Sequence, residues 1–579
     1  MRPAALLALL AAAAIAAGAW AVRQFPTAFP LVTLDLRMDR ARALADAEAL
    51  RVRDGLGPPE APRNAVRFDR DLDAQTFIEL EGGGRARYQA LMARDLYQPF
   101  QWNVRFFRPG DPREATLRFA PDGRPYGFVE KLPEAAPGPA LAADSARRLA
   151  TAALGRWGVD TAPYTLVESG RELRPSGRAD HTFTWERGDA EIGAGTLRVR
   201  AVVSGDRVTE VTRFVRVPEA FARRYQQMRA LNDGIATGAS FVILVLYGLV
   251  GLGGGLLWLL RRRALLWPPA LRWGLAIGTA NGLAYLAQWP LLWSGYDTAV
   301  DAGTFATQQG LIAAAMAVGM GMLLAVSFAV AEGLTRAAFP ARTQLWRLWA
   351  RDVAPAPEVG AHTLVGYLLV PLFFAYVVAF YAVATRVLGW WSPADTLINP
   401  DVLASWVPWL SALAPSLQAG FWEECLFRAV PLAGAALLGE RFGRRGAWLA
   451  GAMVVQALVF GAGHANYPAQ PGYARVVELI VPSLLFGWIY LRLGLLAGIV
   501  MHFVYDVVWF ALPLFTLDAP GVGLQRALLV GGALVPVLML ALRRAQAGAV
   551  PAVPDDARNG AWAPPAAGEE APVPAPAAP

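Results

Sequence analysis

SWVPWLSALAPSLQAGFWEECLFRAVPLAGAALL, residues 405–438, is apolar and long enough to cross a bilayer, yet it holds two adjacent glutamates and an arginine inside. A charged side chain at the centre of a membrane helix costs about 2.5–3.5 kcal/mol on insertion scales, so such residues face a bundle interior and mark function or pairing. Glu423, Glu424 and Arg428 therefore point to a helix enclosed by others. Apolar runs recur on both sides of it. Upstream they lie at 238–260, 273–293, 309–333 and 362–385; downstream at 446–464, 474–491, 494–515 and 524–542. Most have the roughly 18–25 residues that span a hydrocarbon core of about 30 Å. The chain is 55% hydrophobic and 17% charged, with a mean hydropathy of +0.34. This composition excludes an ordinary soluble protein. The fold class read from it is mainly α: a polytopic helical bundle of about ten spans with an α+β domain ahead of it.

Arginine sets the expected orientation. Arg261–Arg263, then Arg336, Arg342, Arg347 and Arg351, then Arg441, Arg444 and Arg445, then Arg543 and Arg544 all fall on one side if the spans alternate. Loops rich in Lys and Arg stay cytoplasmic. The opposite side holds only Arg386, Arg475 and Arg526, read as loop residues near span ends. The net charge of +7 reports this topology, and a basic stripe with interleaved aromatics, which would suggest nucleic acid, is absent from the polar parts. Arginine far outnumbers lysine, whose single instance is Lys131, and Ala, Pro and Gly are abundant. That bias suggests a GC-rich bacterium and hence its inner membrane.

Outward from the spans, residues 1–23 read as an N-terminal anchor or signal, with the anchor preferred because Arg23 and Gln24 follow the apolar run directly. Residues 24–235 are polar and read as an extracytoplasmic α+β domain. A helix is expected at 38–54, with strands at 102–108, 115–120 and 125–131. A second helix follows at 141–157, with strands at 181–187, 196–203 and 208–216. Both halves carry Thr-Leu-Arg before a turn and close with Pro-Glu, which reads as a duplication. This region distantly resembles paired PepSY-type modules. Residues 236–400 are assigned to accessory membrane helices, 401–544 to the catalytic membrane domain, and 545–579 to a disordered Pro/Ala-rich tail.

The chemistry sits in three of the spans. Glu424 and Arg428 are four apart on one helix face and can pair. Glu423 points about 100° away and is left unpaired, as suits a general base on water. His464 ends FGAGH with Phe460 four residues before it; His502 and Asp506 are again four apart. Taken singly, each has an ordinary explanation: a structural ion cluster, an interfacial histidine, a histidine tethered to its helix neighbour. His181 reads as a packed or surface histidine and His362 as interfacial. Cys425, the single cysteine, lies beside two acids that disfavour a thiolate, so it reads as packing. It also excludes an intrachain disulfide and a cysteine zinc site.

Taken in order, E-E-x-x-x-R (Glu423, Glu424, Arg428), F-x-x-x-H (Phe460, His464) and H-x-x-x-D (His502, Asp506) resemble the motifs of the CAAX-protease and bacteriocin-processing family. Its members include the type II CAAX prenyl endopeptidases, and the resemblance covers roughly 405–520. It implies an intramembrane endopeptidase acting on a peptide or membrane-protein substrate. Glu423 with His464 would activate water, while His502 and Asp506 would stabilise the oxyanion. Glu424, Arg428 and Phe460 would be supports. A metalloprotease version would place Zn²⁺ on His464 and His502; a metal-free version needs only the Glu–His base. No H-E-x-x-H occurs, which excludes the soluble zincin arrangement. Helix rise puts Glu423 and His464 in the outer half of the bilayer, towards the 24–235 domain. Two competing readings are a non-catalytic scaffold or regulator that uses the polar cluster for helix packing, and a proton-coupled transporter. The absence of a clear inverted repeat weighs against the transporter.

Overall fold

The computed structural model describes residues 3–29, 34–60, 62–394, 399–548 and 550–564. Its first helix, α1 (Pro3–Ala28), is apolar throughout its first five turns. It lies along a later helix, with Gly18 against Pro371. A sheet domain follows. α2 (Arg40–Asp54) starts at Asp39, whose carboxylate accepts the Arg42 N–H at 2.8 Å, and stops at Gly55 in the left-handed region. The first half continues with β1 (Arg63–Arg70), α3 (Leu72–Leu80), α4 (Gly84–Ala93), β2 (Phe100–Phe107), β3 (Glu114–Phe119) and β4 (Pro125–Lys131). The second half comprises α5 (Ala143–Arg156), β5 (Tyr164–Leu173), β6 (Ala179–Arg187), β7 (Thr196–Ser204) and β8 (Arg207–Arg216).

The eight strands form one antiparallel sheet in the order β1-β2-β3-β4-β8-β7-β6-β5. It consists of two four-stranded meanders laid edge to edge, joined where Phe128 pairs with Val211 and Val129 with Glu210. Burial alternates along β2 and β7, as a period of two requires for a strand with one covered face. Trp102, Leu117, Val199 and Val203 fill that face together with Ala43 and Ala47 of α2 and Ala146, Ala150 and Leu154 of α5. Thr116–Arg118 and Thr196–Arg198 occupy equivalent third strands, β3 and β7. β1, β5, α3 and α4 lie outside the elements expected from the sequence. β5 is exposed along nearly its whole length, so it carries no apolar alternation to read.

The remaining helices build the bundle. α6 (Glu219–Val242) runs on through a π-helical stretch, Ile243–Gly254, into α7 (Gly255–Arg261). Then come α8 (Trp267–Ala287), a short α9 (Trp289–Leu292), α10 (Ala302–Ala338) and α11 (Pro357–Arg386). α12 (Pro408–Glu423) passes through a second π-helical stretch, Glu424–Ala429, into α13 (Val430–Arg441). α14 (Arg445–Gly463), α15 (Ala474–Leu493), α16 (Leu495–Thr516) and α17 (Val522–Ala547) complete the bundle. Eight of these rods are long and apolar enough to cross a membrane: α1, α6–α7, α10, α11, α14, α15, α16 and α17. The outward faces are apolar too; Ile15, Phe241, Leu311 and Leu524 are each more than 60% exposed. The chain is a multi-pass membrane protein. Of the about ten expected spans, 273–293 and 405–438 fall outside this set. α8 carries Arg272 and Asn281 and packs through glycines: a Cβ on Gly274 or Gly278 would stand 2.3 Å from an α10 carbonyl. Small residues that let two helix backbones touch serve packing and contribute little hydropathy. α12–α13 carries Glu423, Glu424 and Arg428 within its length.

The expected arginine clusters gather at one end of the bundle. Arg336 donates to the Ala264 carbonyl, Arg445 to Ala338, Arg342 to Leu491 and Arg544 to Pro355. Part of the tail departs from the disorder that its composition suggests. Of residues 545–579, α17 takes those up to Ala547, and 553–562 dock on this same end. Arg558 grips Glu358 with two hydrogen bonds of 3.0 and 2.8 Å, Arg347 reaches Asp556 at 2.9 Å, and Arg336 stacks on Trp562. A Pro/Ala composition hid these few specific contacts. Residues 565–579 lie outside the described residues.

The sheet domain sits on the opposite end. Phe107 packs against Trp293 and Tyr296, and Arg105 donates to the Tyr296 carbonyl at 2.7 Å. Glu79 accepts from the Trp391 indole and the Ala394 amide. Asp401, in a turn of 3-10 helix before α12, accepts the Phe68 N–H of β1 at 3.1 Å. Burial raises the Asp401 carboxyl to about 6, with Arg67 partly opposing and Asp69 adding to the shift. A carboxyl raised on folding contributes its stability fully below the unfolded value near 3.8, and that contribution is lost as pH climbs through about 6. The Phe68 N–H favours the ionised carboxylate, but the cost of burying that charge is larger, so this interface is less stable towards neutrality. In Asp401→Asn, hydrogen exchange at Phe68 is expected to become slower than wild type at pH 7, once corrected for intrinsic rates. Its protection should also become flat between pH 4 and 7. Unchanged protection in the variant would refute this account of the interface.

Candidate active site

Three helices bring the motif residues together. α12 delivers Glu423 at its last turn, and the π stretch that begins at Glu424 carries Glu424 and Arg428. Single-turn π segments inside α-helices frequently occur at functional sites, because they re-aim side chains without ending the helix. α16 lies against α12 closely enough that a Cβ on Gly420 would stand 2.7 Å from the Phe503 amide nitrogen. That approach sets His502 beside both glutamates. Its Nδ1 is 3.0 Å from Glu424 Oε1, and its Nε2 is 3.7 Å from Glu423 Oε2 and 3.6 Å from Asp506 Oδ2. Glu423 is therefore not the partnerless carboxylate expected from helical angles. The two adjacent glutamates reach the two nitrogens of one imidazole from either side.

Arg428 is fully buried and lies 3.5 Å from Glu424 Oε1. None of its three guanidinium nitrogens has a hydrogen-bond partner among the described residues. Aromatic faces compensate: its Cζ stands 4.1 Å from the Phe460 ring centroid and 4.9 Å from that of Phe486. Cation–π attraction strengthens when the cation is desolvated. Phe460, expected as a support, acts by stacking on this arginine. Gly498 opposite leaves the room that Glu424 occupies; a Cβ there would come within 3.0 Å of Glu424 Oε2.

His464 follows the last residue of α14. Where the helix stops, the Phe460 carbonyl loses its i+4 amide, and His464 Nδ1 takes it at 2.8 Å. A carbonyl only accepts, so Nδ1 carries the proton and Nε2 presents a lone pair. The loop beyond is held from the sheet-domain side. The buried Asn232 of α6 puts its Nδ2 within 3.0–3.2 Å of the Ala465, Ala469 and Gly472 carbonyls.

Glu423, His464, His502 and Asp506 all line one cavity of about 390 Å³. Its mouth is shared with the sheet domain: Asp69 and Arg70 at the end of β1, with Asp401, also line it. Nothing in the sequence pairs these with the motifs, because they lie in a different domain or a connecting loop. Arg475 and Glu478 line it as well, joined at 2.6 Å near the start of α15. By sequence Arg475 reads as a loop residue near a span end, whereas it lies in the first turn of α15, and the opposite charge at i+3 is the signal of that place. A similar pair, Glu332 and Arg336 at 2.9 Å, is buried in α10 far from the cavity. Cys425 is wholly buried, and His181 is buried against the Leu141 carbonyl. His362 lines a separate cavity beside Arg342 and Glu358.

For zinc the donor set fits poorly. Among the described residues no three His, Cys, Asp or Glu side chains are gathered to hold one ion. His464 and His502 both commit Nδ1 to protein acceptors. That leaves Nε2 of each imidazole free, as in metal-ligating histidines, but no third side chain is gathered with them among the described residues as a catalytic zinc site requires.

No curated protein matches the chain, and no solved structure does. A family model does match, over residues 405–508, the stretch from just before α12 into α16 that supplies every motif residue above. That model is described as Type II CAAX prenyl endopeptidase Rce1-like, and this part of the chain is similar to that family.

Proposed function

We propose that the chain hydrolyses a peptide bond within or beside the membrane, with Glu423 and His464 activating the attacking water. The observation that carries this reading is one cavity lined by Glu423, His464, His502 and Asp506, which come from three helices up to 83 residues apart in sequence. Glu423 or the free Nε2 of His464 takes a proton from water as its oxygen bonds to the scissile carbonyl carbon. The carbonyl oxygen becomes an oxyanion. His502 is held by Glu424 at Nδ1, so its Nε2 faces the cavity side and, when protonated, donates to that oxygen. The C–N bond then breaks, and the proton held by the base passes to the leaving amine. Asp506 orients the same imidazole from the next turn of α16. In this reading Glu423 and His464 supply the base without a metal.

The basic end of the bundle supports a cytoplasmic orientation for that end, by the excess of arginine in its loops. The sheet domain, at the other end, is then extracytoplasmic, and the cavity opens towards it. In a bacterium this is the inner membrane. Packing of α1 on α11, and of Phe25 and Phe29 against Trp509, supports a retained anchor.

Three measurements test this. Glu423→Gln and His464→Gln, purified and offered an internally quenched peptide library, are each expected to lose about 10²–10⁴-fold in kcat; full activity in both would overturn the assignment of these two residues as the base. Arg428→Met strands the buried Glu424 carboxylate and is expected to cost about 3–5 kcal/mol in stability, with partial recovery in Glu424→Gln/Arg428→Met. Equal thermal transitions for wild type and Arg428→Met would refute that linkage. A reporter active only outside the cytoplasm, inserted at Ala136 in the β4–α5 loop, is expected to be active; a silent one reverses the orientation.

A further inference from the structure

Beyond the motif residues the cavity holds one more built feature, the Arg475–Glu478 pair on α15. Arg475 Nη1 donates to Glu478 Oε1 at 2.6 Å, and its guanidinium lies 4.9 Å from the Tyr467 ring centroid. Glu478 is fixed in turn. Its Oε2 accepts from Tyr381 at 3.2 Å, and its backbone carbonyl accepts from Tyr376 at 2.6 Å, both from α11. Arg475 is held by an anion on one side and a ring face on the other, so its fork is oriented before any substrate arrives. Arg475 Nε is buried and has no hydrogen-bond partner among the described residues. The other groups of the cavity wall are weighted towards acceptors: Glu423, Asp506, Glu478, Asp401 and Asp69. A peptide in extended form presents carbonyl oxygens that need donors once water is displaced. Arg70 is the other arginine of the wall, and it belongs to the sheet domain at the mouth.

We propose that Arg475 is a substrate-binding residue whose guanidinium donates to a backbone carbonyl of the peptide next to the scissile bond, with Glu478 as the anion that orients it. This rests on the peptidase reading. The pair belongs to none of the three motifs, and it holds the peptide in the cavity while Glu423 and His464 act on the water. A planar five-donor fork suits this task better than an ammonium, because its direction is set by the plane.

The test compares wild type, Arg475→Lys, Arg475→Gln and Arg475→Gln/Glu478→Gln on one quenched peptide selected from the library. Arg475→Gln alone leaves Glu478 buried without its cation, so its failure would not separate binding from folding. The double variant removes both charges. It is expected to unfold at the wild-type temperature yet to lose 10–100-fold in kcat/KM, mainly through KM, with the pH profile of kcat unchanged. A double variant with wild-type kcat/KM would show the pair to be structural and overturn the proposal. Should the double variant misfold, Arg475→Lys decides: it keeps the charge for Glu478, and a wild-type KM in the folded lysine variant overturns the proposal equally. Loss of peptidase activity is thereby separated from loss of this site. Wild type that cleaves while the variants match it defeats Arg475 alone, whereas wild type that cleaves no peptide removes both readings.

Discussion

Desolvation of charge governs this structure. Glu424 and Arg428 lie in an environment with almost no access to water, where an unpaired ion would cost several kcal/mol. They persist because each is answered by something specific. Arg428 has two aromatic faces and a carboxylate; Glu424 has the guanidinium and an imidazole nitrogen. His502 is the hinge of the arrangement, since its other nitrogen faces Glu423 and Asp506. The same contacts that make burial tolerable orient the imidazole, so stability and chemistry here draw on one set of interactions.

Everything around this cluster serves close approach. Gly420 brings α12 onto α16, Gly498 leaves space for Glu424, and the π stretch from Glu424 turns consecutive side chains towards one ring. The helix end at Gly463 frees the carbonyl that sets the His464 tautomer. Removing any of these would leave the residues present and the geometry lost. Charged groups elsewhere in the bundle, such as Glu332 with Arg336, follow the same rule without lining the cavity of the motif residues.

The sheet domain is more than an attachment. It contributes Asp69 and Arg70 to the cavity wall, and the helix that leaves it, α6, carries Asn232 to the loop behind His464. The motif-bearing helices and the sheet domain thus line one cavity. A change in how β1 sits on the turn at Asp401 alters the shape of that cavity directly.

Much of this was legible from the chain alone. Apolar runs marked eight qualifying spans, and the arginine clusters marked the end they share, because insertion energetics act on composition and length and need no tertiary detail. The i,i+4 spacing identified the Glu424–Arg428 pair and the His502–Asp506 pair, since a helix alone sets those distances. Alternation found six strands but not the exposed β5, which has no covered face. Other features depended on contacts between distant segments: both glutamates on one imidazole, Phe460 on Arg428, Arg475 in the cavity, β1 at its mouth, and 553–562 docked on the basic end. These are decided by which helix faces meet, and a local pattern records a face without naming its partner.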